Sequence, residues 1–235
     1  MLSVRLLIIV ACASTCSSAQ PAAPPKILAL VRQQFKSGQA HTRERLERAT
    51  SAAYNRLDIP FYWMELEAFT GTPEALLFEP FDSFEAVEKT GAILGPFEEA
   101  HPELARWEAG INDALSSQRT ILAVRRDSPG VDGINLAQAR LLRMLVVRTN
   151  PGDAPPAIDG PAGPAIVYDV NSGMEGPAFL IFLPMATVSD IPSIHITVGT
   201  IVEDSVYAIV PEMSHISRAF AQQDQTFWTK PPDQK

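Results

Sequence analysis

The segment Trp63-Met64-Glu65-Leu66-Glu67 sets an aromatic ring and two carboxylates at alternate positions. In an extended strand, neighbouring side chains project to opposite faces. Trp63, Glu65, Glu67 and Phe69 then share one face, and Tyr62, Met64, Leu66 and Ala68 share the other. Crowded carboxylates repel each other's charge, which raises a carboxyl pKa toward the range where it serves as a general base. Neighbouring strand candidates add Arg32 and Gln34, then Glu79, and later Arg143, Asp169 and Asn171. A slip of one residue would exchange the two faces of every strand.

Other chemistry is sparse. The four histidines, His41, His101, His195 and His215, show no helical metal spacing and no H-E-x-x-H, so no metal ligand set is expected. There is no G-x-S-x-G, no phosphate-binding loop and no dinucleotide fingerprint. Both cysteines, Cys12 and Cys16, fall in the first 19 residues. That stretch reads as a secretory signal: Arg5, the apolar run Leu6–Ala11, then small residues to Ala19. Cleavage after Ala19 leaves a mature chain without thiols, exported to the periplasm or beyond. A lipid anchor on Cys12 or Cys16 is the rival reading. The net charge of −8 speaks against nucleic acid and anionic membrane surfaces as partners. No later stretch is long and apolar enough to span a bilayer, which takes roughly 20 residues.

The elements that must hold these residues follow from periodicity. Residues 20–25 form a Pro-stiffened leader. Ile27–Lys36 reads as a strand and His41–Asp58 as a helix, with Leu46, Ala49, Ala53 and Leu57 at helical spacing. Phe61–Phe69 and Ala75–Phe81 read as a hairpin around Thr70-Gly71-Thr72-Pro73. Asp82-Ser83-Phe84-Glu85 reads as a capping box on Asp82 that opens a short helix. Pro102 starts another helix with the stripe Leu104, Trp107, Ile111 and Leu115, and Thr120–Arg126 is a fourth strand. The order β-α-β-β-α-β then recurs in degraded form. Leu141–Arg148, Ala165–Asn171, Phe179–Met185 and Ser205–Val210 are its strands, while the Pro- and Gly-rich 153–163 replaces its first helix. Residues 191–202 suit strand or helix. Ala75–Phe81 and Phe179–Met185 share a Pro before their last residue, which favours an internal repeat.

With these elements in place the chain resembles the dimeric α/β-barrel superfamily, which includes NIPSNAP proteins and small monooxygenases. The resemblance rests on Val31–Gly38, similar to its first strand and glycine turn, and on Phe81–Ala86, similar to its strand-to-helix step. The mature chain is also similar to a group of exported bacterial proteins of unassigned activity. It shares with them Asn135-Leu136-Ala137 and a tail like Val210-Pro211-Glu212-Met213-Ser214 running to Phe227-Trp228.

The resemblance implies an α+β fold: two ferredoxin-like repeats forming an α/β barrel, the second lacking its first helix. Residues 26–128 would be the first repeat, 129–212 the second, and 213–235 a tail. Its aromatics would dock on the chain's own surface or on a second subunit. One sheet face would lie under helices and the other would line the barrel. The apolar set Met64, Leu66 is then expected under the helices. Trp63, Glu65 and Glu67 are expected in the barrel, with Arg32, Glu79, Arg143 and Asp169. These charges make either structural ion pairs or a pocket for a small-molecule ligand. Two functions remain open: a non-catalytic ligand-binding or scaffold protein, and an oxidoreductase of the small-monooxygenase kind. No cofactor is required by the residues; haem is the one the resemblance suggests. A homodimer is a further candidate assembly.

Overall fold

In strand β1 (Ile27–Phe35), residues Ile27 to Val31 are all buried, so both faces of this strand are covered. The computed structural model of the chain describes residues 22–128, 130–156, 158–159, 165–191 and 193–229. The expected signal segment 1–19 lies outside them. After β1 come helix α1 (Ala40–Leu57), strands β2 (Met64–Ala68) and β3 (Glu74–Phe81), helices α2 (Phe84–Glu88), α3 (Thr90–Ala100) and α4 (Pro102–Ala114), and β4 (Leu115–Arg125). The second half holds β5 (Leu141–Arg148), β6 (Ile158–Asp159), β7 (Ile166–Ser172), β8 (Ala178–Met185), β9 (His195–Ile196) and β10 (Thr200–Ile209). Two one-turn helices, α5 (Arg218–Ala221) and α6 (Gln225–Trp228), end the described chain.

Eight strands close into one antiparallel barrel in the order β1-β3-β2-β10-β5-β8-β7-β4. Closure within a single chain removes the sheet edges that would otherwise template pairing with other molecules. Each half contributes four strands in equivalent order, β4-β1-β3-β2 and β10-β5-β8-β7. The registers match as well. Leu28, second in β1, pairs with Pro80, and Leu142, second in β5, pairs with Pro184.

The middle of the barrel interior is apolar. Leu28, Leu30, Met64, Leu66, Leu76 and Phe78 meet Leu142, Met144, Val146, Leu180 and Phe182 in one continuous core. One end is closed by the segment Ile134–Ala139 and by the tail residues Phe220 and Trp228. The indole Nε1 of Trp228 donates to Ala137 O at 2.8 Å. The tail therefore docks on its own chain. Pro24 and Pro25 are held at the same end: Tyr168 Oη donates to Pro25 O, and Arg125 Nη1 donates to Pro24 O.

Outside the barrel the halves differ. In the first, α1 and α4 cover the sheet. Leu46 of α1 sits against Gly110 of α4, where an added Cβ would meet its methyl at 2.8 Å, so glycine permits the close helix approach. In the second, no α-helix follows β5 or β8 among the described residues. A short ribbon of β6 and β9 covers Leu145, Val147, Phe179 and Ile181 instead. The segment 191–202 thus holds β9 and the start of β10. Two local expectations shift: Ser83, not Asp82, caps α2 by accepting from Ala86 N, and an additional helix, α3, follows it.

Candidate functional site

Alternation along β2 holds, but the two faces are exchanged relative to expectation. Met64 and Leu66 point into the barrel core, while Trp63 packs with Tyr54, Ile59 and Leu104 under the helices. Glu65 lies on Trp63's side and is fully buried. Glu67, half-buried, shares that side near Arg43 and Arg48. Glu79 of β3 also faces the helices, beside Leu77 and Trp63. The physical reason is closure. The middle of a closed barrel excludes water and has no neighbouring layer to supply polar partners, so it takes side chains that need none, and polar groups are confined to a mouth where they pair with one another.

The helix α1 supplies the partners. Its residues Arg43, Glu47, Ser51 and Tyr54 are buried, and they follow one another at spacings of four, four and three. That is one helical stripe, and it is polar. Leu46 of the expected apolar set packs on α4 instead. Arg43 is completely buried, and its Nη2 lies 2.5 Å from Glu65 Oε1 and 3.2 Å from Glu47 Oε1. Its Nε and Nη2 donate to Gln33 Oε1 at 3.1 and 2.8 Å. The Arg43–Glu65 contact is close but lacks hydrogen-bond geometry, and Arg43 Nη1 and both Glu65 oxygens make no hydrogen bond. Burial pushes the Glu65 carboxyl well above its usual range, and Arg43 pulls the other way. Burial also raises Glu47 and Glu67 against the pull of the same guanidinium.

Beside this network a cleft of about 240 Å³ opens between the outer face of β1, β3 and β4, with Trp63 just before β2, and the helices α1, α3 and α4. Tyr54, Phe61 and Trp63 form aromatic wall; Leu77, Leu94, Leu104 and Ile111 form aliphatic wall. Glu47, Glu79, Glu98 and Glu108 are its charged lining residues. Glu79 makes no hydrogen bond or ion pair among the described residues. Burial alone pushes its carboxyl up to about 8. Trp63 is held rigidly: its Nε1 donates to Met213 O at 2.8 Å, and the ring packs edge-on against Tyr54. Ser51 Oγ donates to the same carbonyl at 2.7 Å. The tail segment after β10 therefore fixes both β2 and α1.

The remaining expected site residues lie elsewhere. Arg32 is on the barrel side, as expected, at the mouth opposite the tail, where it pairs with Glu74 at 2.5 Å and Glu203 at 2.8 Å. Tyr207 Oη donates to Glu74 Oε1 at 2.5 Å, completing a closed polar set. Arg143 and Asp169 are not in the barrel. Each is on the outer face of its strand, Arg143 with Asp204 at 2.7 Å and Asp169 with Arg126 at 2.7 Å. Their strand neighbours Leu142, Met144 and Tyr168 occupy the interior. Of the seven candidates, Trp63 and Glu79 line the cleft; Glu65 and Glu67 belong to the network beside it. Glu47, Glu98 and Glu108 were missed because helical glutamates usually face water; the buried stripe from Arg43 to Tyr54 was the readable signal.

Haem does not fit this cleft. No histidine lines it to ligate the iron, and no lysine or arginine lines it to pair with the propionates. Its only phenol, Tyr54, is pushed up to about 12 by burial and neighbouring glutamates, which disfavours an anionic ligand. His215, packed behind Trp63, has both ring nitrogens engaged, Nδ1 at 2.8 Å from Asn55 Oδ1 and Nε2 at 2.7 Å from Ile59 O.

Among solved structures, the chain is similar to an anthrone oxidase-like protein, with 13% identity over 80% of this chain and 93% of that one, at a TM-score of 0.47. It is similar to a chlorite dismutase-like protein at 10% identity, covering 80% and 96%, TM-score 0.46. It is also similar to a monooxygenase-like protein from Lactobacillus acidophilus at 9% identity, covering 78% and 92%, TM-score 0.43. No residue role is carried over from any of them. No family model matches the sequence, and no curated protein matches it.

Proposed function

We propose that the protein is an exported small-molecule-binding protein whose ligand occupies the cleft between α1, α3, α4 and the outer face of β1, β3 and β4. The carrying observation is Glu79. Partly buried between sheet and helices, this carboxyl makes no hydrogen bond or ion pair among the described residues and opens onto a cleft lined by three aromatic rings, where a ligand group can meet it. Rigid aromatics and a few convergent polar groups are the usual construction of a small-ligand site.

The halves read as two ferredoxin-like units in tandem, supported by their shared strand order and by the equivalent Leu28–Pro80 and Leu142–Pro184 pairings. On this reading the halves divide the work. The first keeps helices and holds a ligand; the second completes the barrel. The eight strands close within one chain, so a homodimer is not what completes the fold.

A cleft-filling substitution tests the binding reading. Leu94→Trp should abolish the binding of small aromatic compounds detected by calorimetry on the native chain, while leaving cooperative unfolding intact. Hits that bind the filled variant equally well would sink the proposal. One observation favours a catalytic alternative: a carboxyl raised to about 8 can exchange protons near neutral pH. Turnover of a bound compound that disappears in Glu79→Gln would establish it; unchanged compound after prolonged incubation would leave binding as the function.

A further inference from the structure

Resting on the cleft as the binding site, we propose that its ligand is a small organic cation, an ammonium group carried on a flat apolar body. The charged residues lining the cleft are all glutamates, and among the described residues no lysine, arginine or histidine lines it. Arg43 neutralises Glu47 from behind the wall, but Glu79 is left without a counter-charge. Glu79 is partly buried between the sheet and the helices, so a cation placed beside it is attracted across a medium that screens less than bulk water.

The aromatic wall suits the same ligand. Tyr54 and Trp63 stand edge-to-face, 5.0 Å between centroids, and both line the cleft. Aromatic faces attract ammonium groups through the ring quadrupole and also cover flat apolar surface. A metal ion is a poorer match: no three acidic or histidine groups among the described residues converge on an ion-sized site. The size is also limiting, since about 240 Å³ is below the ~300–1,000 Å³ typical of drug-sized pockets.

Binding has a proton signature. Alone, Glu79 is held largely protonated at neutral pH by burial. The groups around it are Glu47 and Tyr54 from α1, Glu98 from α3 and Glu108 from α4. Tyr54 stays neutral, and burial also raises Glu47 and Glu108. An arriving cation favours the ionised carboxylate, so binding releases a proton below about pH 8. An alkylammonium itself stays charged to about pH 10.

The experiment is isothermal calorimetry on the full mature chain with phenethylamine, tyramine and tryptamine. Each is paired with its alcohol and with a carboxylate of matched length. At least one amine should bind tenfold or more tightly than its alcohol, its carboxylate should not bind, and buffers of different ionisation enthalpy should reveal proton release. Glu79→Gln should remove the preference for the amine, while the exposed control Glu175→Gln should keep it. Equal binding of amine and alcohol, both lost in Leu94→Trp, would overturn the cation inference and leave the cleft as a binding site. Tighter binding of a carboxylate would do the same. Failure of all nine compounds would overturn both readings.

Discussion

The Glu65 carboxylate and the Arg43 guanidinium meet 2.5 Å apart with neither side chain exposed to solvent. The pair sits between a strand and the helix that covers it. Gln33 and Glu47 supply its other close partners. Burying charge is costly, and the attraction inside the protein offsets that cost only while both partners are present.

Removing one partner should therefore be worse than removing both. Arg43→Met is expected to destabilise the protein by about 3–5 kcal/mol, the usual result of leaving a buried charge uncompensated. Arg43→Met combined with Glu65→Leu should recover part of that loss. Urea denaturation of the single and double variants checks it. A double variant less stable than Arg43→Met alone would show that the pair is not acting through its charge.

Stability should fall as pH rises from about 5 toward 8. Burial raises Glu79 to about 8 in the folded protein, from an ordinary carboxyl value of 4.5. The folded chain then binds more protons than the unfolded one between those values, and stability declines as pH climbs through them. Glu47, Glu65 and Glu108 shift in the same direction through burial. Glu79→Gln should flatten the decline and raise stability at pH 8. Thermal unfolding across this range measures it; a slope unchanged by the substitution contradicts the account.

Trp228 should tie the tail to the barrel. Its ring packs against Phe220 with centroids 5.3 Å apart, and its Nε1 reaches Ala137 O. Trp228→Ala is expected to cost about 3–5 kcal/mol, as for large aromatics removed from a core. Trp228→Phe should cost less, keeping a ring while leaving the Ala137 carbonyl unpaired. Equal losses for the two would place the whole effect in the hydrogen bond.

Two glycines with positive φ separate backbone strain from collision. Gly38, at φ 76°, has nothing within 4 Å of an added Cβ, whereas Gly173, at φ 87°, would bring it to 2.2 Å from Thr120 O. Gly38→Ala should cost roughly 1 kcal/mol from conformation alone. Gly173→Ala must also move the β4 backbone and should cost clearly more. Chemical denaturation of both variants compares them directly.

Local features were readable in the sequence wherever short-range physics decides them. The strand at Leu141–Arg148, the α4 stripe of Leu104 and Ile111, and the alternation of Met64 and Leu66 against Trp63 and Glu65 each depend on a repeat of two or 3.6 residues. The cleft was not readable, because its glutamates come from three helices and a strand. The helix α3 was missed because Pro96 and two glycines argue locally against it, yet it forms with Pro96 inside.

By itself, the order of residues determined which side chains of β2 travel together and which two strands end in equivalent prolines. Only the tertiary structure decided which of those sets would be inside the barrel. Pleat alternation is a property of neighbouring peptide units, whereas inside and outside exist only once the halves meet at β2–β10 and β4–β7 and the eight strands close. At that point the middle of the barrel, closed to water, admitted leucine and phenylalanine. Glu65 was left to the face where a helix could bring it an arginine.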